Sequence, residues 1–139
     1  MTDAQYLQEF EAGRISPGDF SHRMHIRVAR ELLIEAGPDD ALPRLRAGLR
    51  TILAKIENPE GPGYHETLTV AWLRVVQSAL LRNSGEDFEA FAGTHPELMN
   101  SGLIFDFYDR SILDDSEARE IFVPPACLPL PADRPPIQG

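Results

Sequence analysis

Cysteine is almost absent from this chain: Cys127 is the only one in 139 residues. No disulfide can close within it, so an oxidising compartment gains no support and a packed core has to hold the fold. The surrounding Pro124-Pro-Ala-Cys-Leu-Pro129 offers neither a base nor a helix start to activate a thiolate. Positive charge is also scarce. Thirteen Lys and Arg stand against 22 Asp and Glu, for a net charge of -9. Nucleic-acid binding needs a basic footprint to displace counterions, and docking on an anionic membrane needs the same sign of charge, so both are excluded as expectations. Arg23, Arg27, Arg30, Arg44, Arg46 and Arg50 are interleaved with acids and read as solvated helix faces. No apolar run approaches the ~20 residues of a membrane span. The polar start Met1-Thr-Asp-Ala-Gln-Tyr6 is not a signal peptide, and the expected location is the cytoplasm. Period-two alternation, βαβ patterning and internal repeats are missing as well, which leaves an all-α reading.

What is present is ordinary for a globular domain. The chain is 42% hydrophobic and 25% charged, and its length suits one domain with a real core. A short helix is expected over Asp3 to Ala12, closed by Gly13, followed by a turn at Ser16-Pro-Gly-Asp19 with Asp19 as the next N-cap. Three main helices follow. The first runs from about Phe20 to Ala36 and stops at Gly37-Pro38. The second is capped by Asp39 or Asp40 and runs to about Ile56, with Pro43 in its first turn. The third runs from about Tyr64 to Arg82, after a Pro/Gly loop at Glu57 to Gly63. Shorter helices are expected over Asp87 to Ala92, Leu103 to Leu113 and Ser116 to Phe122, the last capped by Ser116. The segment from Val123 to Gly139 is too rich in proline for regular structure, and Leu128 and Leu130 favour docking of its first half. Residues 1–130 are thus expected to form one helical bundle domain, and 131–139 an extended or disordered tail.

Polar residues intrude on two of the three apolar helix faces. In Phe20-Ser-His-Arg-Met-His-Ile-Arg-Val-Ala29, His22 and His25 fall on the arc of Met24, Val28 and Leu32, three residues apart and hence neighbours. In Tyr64-His-Glu-Thr-Leu-Thr69, His65 and Thr69 fall on the arc of Leu68, Trp72 and Val75. An unpartnered imidazole loses its hydrogen bonds to water when buried, so each of these needs a partner. Short connections favour antiparallel neighbours, which makes the first and third helices parallel and brings His22, His25 and His65 together at one end of the bundle. The positive ends of two helices there disfavour imidazolium and suit an anion.

Three chemical readings follow. In the first, the chain is a small metal-dependent enzyme acting on a small anionic molecule. His22, His25 and His65 ligate one ion and leave an open position; zinc is the default, with iron, copper or nickel as alternatives. Glu66 is then the acid–base group with Tyr64 beside it, and Thr69, Trp72 and Tyr108 contact substrate. In the second, the same pocket works without metal as an acid–base lyase or isomerase, with Trp72, Phe105, Phe107 and Tyr108 as its wall. In the third, the chain is a non-enzymatic ligand-binding or sensor module. Set against all three is a set of core histidines satisfied by backbone carbonyls or acids. His95, before Pro96, reads as a loop histidine and a minor candidate for a fourth ligand.

The two histidine segments, with Tyr108, Ala118-Arg119 and Val123-Pro124, resemble a set of small bacterial all-helical proteins. Those proteins carry a Phe/Trp-x-His-x-x-His helix, a Tyr-His-Glu-Thr segment and a proline-containing end. The resemblance covers Phe20 to Leu130. It implies that the two histidine segments define the site, and it supplies no reaction.

Overall fold

The computed structural model describes residues 1–56, 63–125 and 130. The expectations for the loop 57–62, for Cys127 and Leu128, and for the tail 131–139 lie outside the described residues. Within them the chain is all-α and contains no strand. No helix among them is long and apolar enough to cross a membrane.

Helix α1 (Asp3–Glu11) opens with a capping box: the Thr2 hydroxyl accepts from the Gln5 amide, and the Gln5 side chain accepts from the Thr2 amide. Gly13 then turns the chain with φ 73°. Pro17–Asp19 form a 3-10 turn. The cap of the next helix is Ser21 rather than Asp19; its hydroxyl accepts from the Met24 amide, whereas Asp19 accepts from the Ser16 hydroxyl at 2.8 Å.

Helix α2 (His22–Leu53) is two arms joined at a kink, where Gly37 alone leaves helical geometry, with φ 78° and ψ 168°. A left-handed φ is nearly free for glycine and strained for any residue with a Cβ. Pro38 follows in the first turn of the second arm, where its missing N–H is harmless. Asp39 and Asp40 therefore sit inside the helical run and do not cap it. Helix α3 (Glu66–Arg82) completes the trio. Its contacts fix the directions. His22 lies against Trp72, and Arg30 donates to the Ser84 carbonyl, so the first arm runs parallel to α3. Pro38 lies beside Leu80 while Arg46 pairs with Glu66, so the second arm runs antiparallel to it. The first arm and α3 consequently begin at the same end of the molecule.

The core lies between these elements. Ile26, Ala29 and Leu32 of the first arm, Leu45 and Ile52 of the second, and Val75, Val76 and Ala79 of α3 meet Phe10 from α1. Phe88 and Phe91 of α4 (Phe88–Thr94), capped by Asp87, close one flank. Burial of a large apolar side chain contributes roughly 1.5–3 kcal/mol, so these contacts dominate the fold.

The expected helix over Leu103 to Leu113 is instead a 3-10 segment, Ser101–Asp106, a link at Phe107 to Asp109, and the short α5 (Arg110–Leu113). The break follows from Tyr108, which is fully buried with its hydroxyl donating to the Val123 carbonyl at 2.7 Å. Helix α6 (Ser116–Glu120) is capped by Asp115 rather than Ser116. Beyond it, Leu130 is fully buried in the core.

Candidate functional site

The first turn of α2 carries His22 and His25, and His65 sits immediately before α3. All three rings line one cavity of about 440 Å³, within the range of small-ligand sites. His65 does not lie on the helix body as the periodicity had it. It is the N-cap residue, in extended conformation, and its Nδ1 accepts from the Leu68 amide at 3.2 Å. That bond leaves the ring proton on Nε2, which donates to the Leu113 carbonyl at 2.7 Å. Both nitrogens of His65 are thus engaged with backbone. Burial holds this imidazole below its ordinary pKa. His22 bonds the Leu98 carbonyl through Nε2 at 2.8 Å, which places a proton on that nitrogen, and its ring packs edge-on against Trp72 at 4.6 Å between centroids.

His25 differs from both. Its Nε2 is buried and has no hydrogen-bond partner among the described residues. Burial, with the neighbouring His22 adding to it, pushes its pKa down to about 4, so the ring is neutral at physiological pH. Phe20 and His22 pack around it at 6.0 and 6.3 Å between ring centroids.

The rest of the lining combines apolar side chains, Leu68, Trp72, Ile104, Phe105 and Leu113, with polar ones, Ser101, Arg110, Asp114 and Arg119. Arg110 stacks over the Phe105 ring at 4.4 Å, and Arg119 reaches the Gly63 carbonyl at 3.4 Å. Neither pairs with a carboxylate among the described residues. By contrast Arg14, Arg23, Arg27, Arg30, Arg44 and Arg46 all do. Two arginines unpaired with carboxylates among the described residues, against the single acid Asp114 in the lining, leave the cavity locally more positive than a chain of net charge -9 as a whole. Periodicity did not reveal Arg110, Arg119 or Ser101. They sit in elements of four to six residues, too short for a helical wheel to orient.

The other predicted site residues divide. Trp72 lines the cavity; Glu66, Tyr64, Thr69 and Tyr108 do not. Glu66 takes both ends of the Arg46 guanidinium, at 2.9 and 2.6 Å, and accepts the Tyr64 hydroxyl at 2.6 Å. The Arg46 guanidinium holds its carboxyl below the usual range, while burial and the Glu66 carboxylate push the Tyr64 hydroxyl up. Arg50 covers the Tyr64 ring at 4.6 Å. This cluster ties the second arm of α2 to the start of α3. Thr69 is buried and donates to the His65 carbonyl at 2.9 Å, which steadies the segment that carries the cap. His95 is buried elsewhere, bonded to the Asn83 carbonyl at 2.8 Å.

As a metal centre the trio fits poorly. A histidine ligates through a nitrogen lone pair, and to free either nitrogen His65 must give up a backbone bond. Among the described residues no three His, Cys, Asp or Glu side chains are grouped as ligands.

No family model matches the chain, and neither a curated protein nor a solved structure is significantly similar to it.

Proposed function

We propose that the histidine-lined cavity binds a small organic anion, and that His25 and His22 serve there as neutral hydrogen-bonding and acid–base groups. The observation that carries this reading is the pair of arginines, Arg110 and Arg119, that line the cavity without carboxylate partners among the described residues. An anion supplies what they lack, and charge-assisted hydrogen bonds to arginine are about twice as strong as neutral ones. The apolar wall of Leu68, Trp72 and Ile104 suits a hydrocarbon body on the same molecule. Asp114, the one acid among the lining residues, stands near His65 and sets a limit on how negative that end of the ligand is.

Whether the bound anion is turned over or only sensed depends on His25. A neutral imidazole with a pKa of about 4 is a weak base. It works best on a proton whose acidity the two arginines raise, such as one beside a carboxylate. The lyase or isomerase reading rests on that arrangement, and the sensor reading needs the arginines alone.

The test is calorimetric titration with benzoate, a carboxylate on an apolar ring. Saturable binding to the wild type is expected, weakened by about tenfold or more in Arg110→Ala and in Arg119→Ala. Heat signals that are absent, or unchanged in both variants, end the reading. A metal-dependent site remains the second reading, favoured by the closeness of the His22 and His25 rings. It requires metal to co-purify stoichiometrically with untagged protein and to be lost in His25→Ala.

A further inference from the structure

The unpartnered nitrogen of His25 says more about the ligand than the arginines do. Ring nitrogens buried without a hydrogen bond are rare, because leaving one unmet costs roughly 1–3 kcal/mol. The His22 and His65 rings escape that penalty by bonding backbone carbonyls. His25 lies between Phe20 and His22 at the foot of α2, with no carbonyl, hydroxyl or carboxylate of the described residues on its Nε2. Its ring lines the same cavity as Arg110 and Arg119.

Resting on the anion-binding reading above, we infer that the ligand is a hydroxylated carboxylic acid whose hydroxyl completes the hydrogen bonding of His25 while its carboxylate meets Arg110 and Arg119. The hydroxyl follows from the chemistry of a neutral imidazole. One nitrogen donates and the other accepts, and a hydroxyl can answer either tautomer, whereas an ammonium only donates and a second carboxylate only accepts. A second carboxylate is further disfavoured because it would be buried beside a neutral ring with no cation at hand. Trp72 and Leu68 line the same cavity and offer an apolar surface against which a ring or branched chain packs. A cavity of about 440 Å³ holds one such small molecule with room for water.

The probes are benzoate and its 3- and 4-hydroxy derivatives, titrated into the intact chain. At least one hydroxybenzoate is expected to bind about tenfold more tightly than benzoate. In His25→Leu the ratio of hydroxybenzoate to benzoate affinity falls to near unity, and in His25→Gln part of it returns. Should His25→Leu not fold, nitrogen NMR of the wild type gives the same answer. The His25 Nε2 resonance moves with the hydroxybenzoate and stays in place with benzoate. Equal affinities in the wild type, a preference that survives His25→Leu, or a silent Nε2 resonance overturns this inference and leaves the anion site standing. Failure of all three acids to bind removes both.

Discussion

His25 takes up a proton much less readily in the folded chain than in the unfolded one, since its ring is buried and stands beside His22. The sign of the resulting pH dependence is fixed. The ordinary value of 6.5 applies to the unfolded chain and about 4 to the folded one. Below about pH 6.5 the unfolded state gains a proton that the folded state refuses, so stability falls with pH through that window and levels off below about 4. Urea unfolding is expected to show a loss of about 2–3 kcal/mol between neutral pH and about pH 4.5. His65, whose pKa is lowered by burial, adds in the same direction. His25→Leu should remove most of the loss, and a slope unchanged in that variant would show that other groups carry it. A second residue stands unsatisfied in the same way. The Tyr6 hydroxyl is buried without a partner, while Arg27 packs on its ring at 4.8 Å. Tyr6→Phe keeps the ring contact and drops the orphaned group, so its thermal midpoint should be equal to or above that of the wild type, by up to about 1 kcal/mol in stability. At this scale period 3.6 singled out three histidines that line one cavity, but it missed His95, read as a loop histidine and the most buried of the four. It carried no trace of which of them backbone carbonyls would satisfy. Leu98 and Leu113 are distant in sequence, and a carbonyl has no residue signature.

Elements with strong local punctuation were readable from the residues alone. Gly13, Gly37-Pro38 and Asp87 mark boundaries that the structure keeps within a residue or two. Misplaced boundaries share one cause, in that several residues competed for a cap. Ser21 took the role expected of Asp19 and Asp115 that of Ser116, while His65, expected in the helix body, became the cap. The aromatic stretch after Gly102 lost its helix because Tyr108 is pulled inward to Val123, a tertiary override of local preference. Close approach of α1 to the second arm of α2 yields a prediction at this scale. A Cβ on Gly48 would stand 2.2 Å from the Phe10 ring, and that ring is fully buried with nowhere to go. Alanine ordinarily improves a helix interior by up to about 1 kcal/mol over glycine. Gly48→Ala should nonetheless destabilise by about 1–3 kcal/mol, as overpacking does. Chemical denaturation decides it, and a gain in stability would mean that the two helices slide apart freely. Gly37→Ala should also destabilise, for a different reason: there is open space around Gly37, but its φ of 78° is strained for any residue with a Cβ.

Across the whole molecule, the cavity is assembled from two halves that the sequence keeps apart. The histidines come from the starts of α2 and α3, and both arginines from the segment that follows residue 100. What holds the second half onto the first is Thr67, fully buried in the first turn of α3. Its hydroxyl donates to the Ile121 carbonyl at 2.9 Å and accepts from the Val123 amide at 3.0 Å. Tyr108 adds its bond to the Val123 carbonyl. Valine has nearly the shape of threonine, so Thr67→Val removes these two bonds without opening a cavity. Two part-buried backbone bonds are then lost, and stability should fall by about 1–3 kcal/mol. The same change loosens the segment bearing Arg110 and Arg119, so benzoate affinity should fall in the folded variant too, although Thr67 is not among the lining residues. Thr94→Val is the matched control: its exposed hydroxyl bonds the Ala90 carbonyl within its own helix, apart from the Thr67 bonds. Unfolding curves and titrations on both variants separate the outcomes. Loss of stability with affinity intact would show that the arginines are held independently of this anchor, by the stacking of Arg110 on Phe105 and the reach of Arg119 to Gly63.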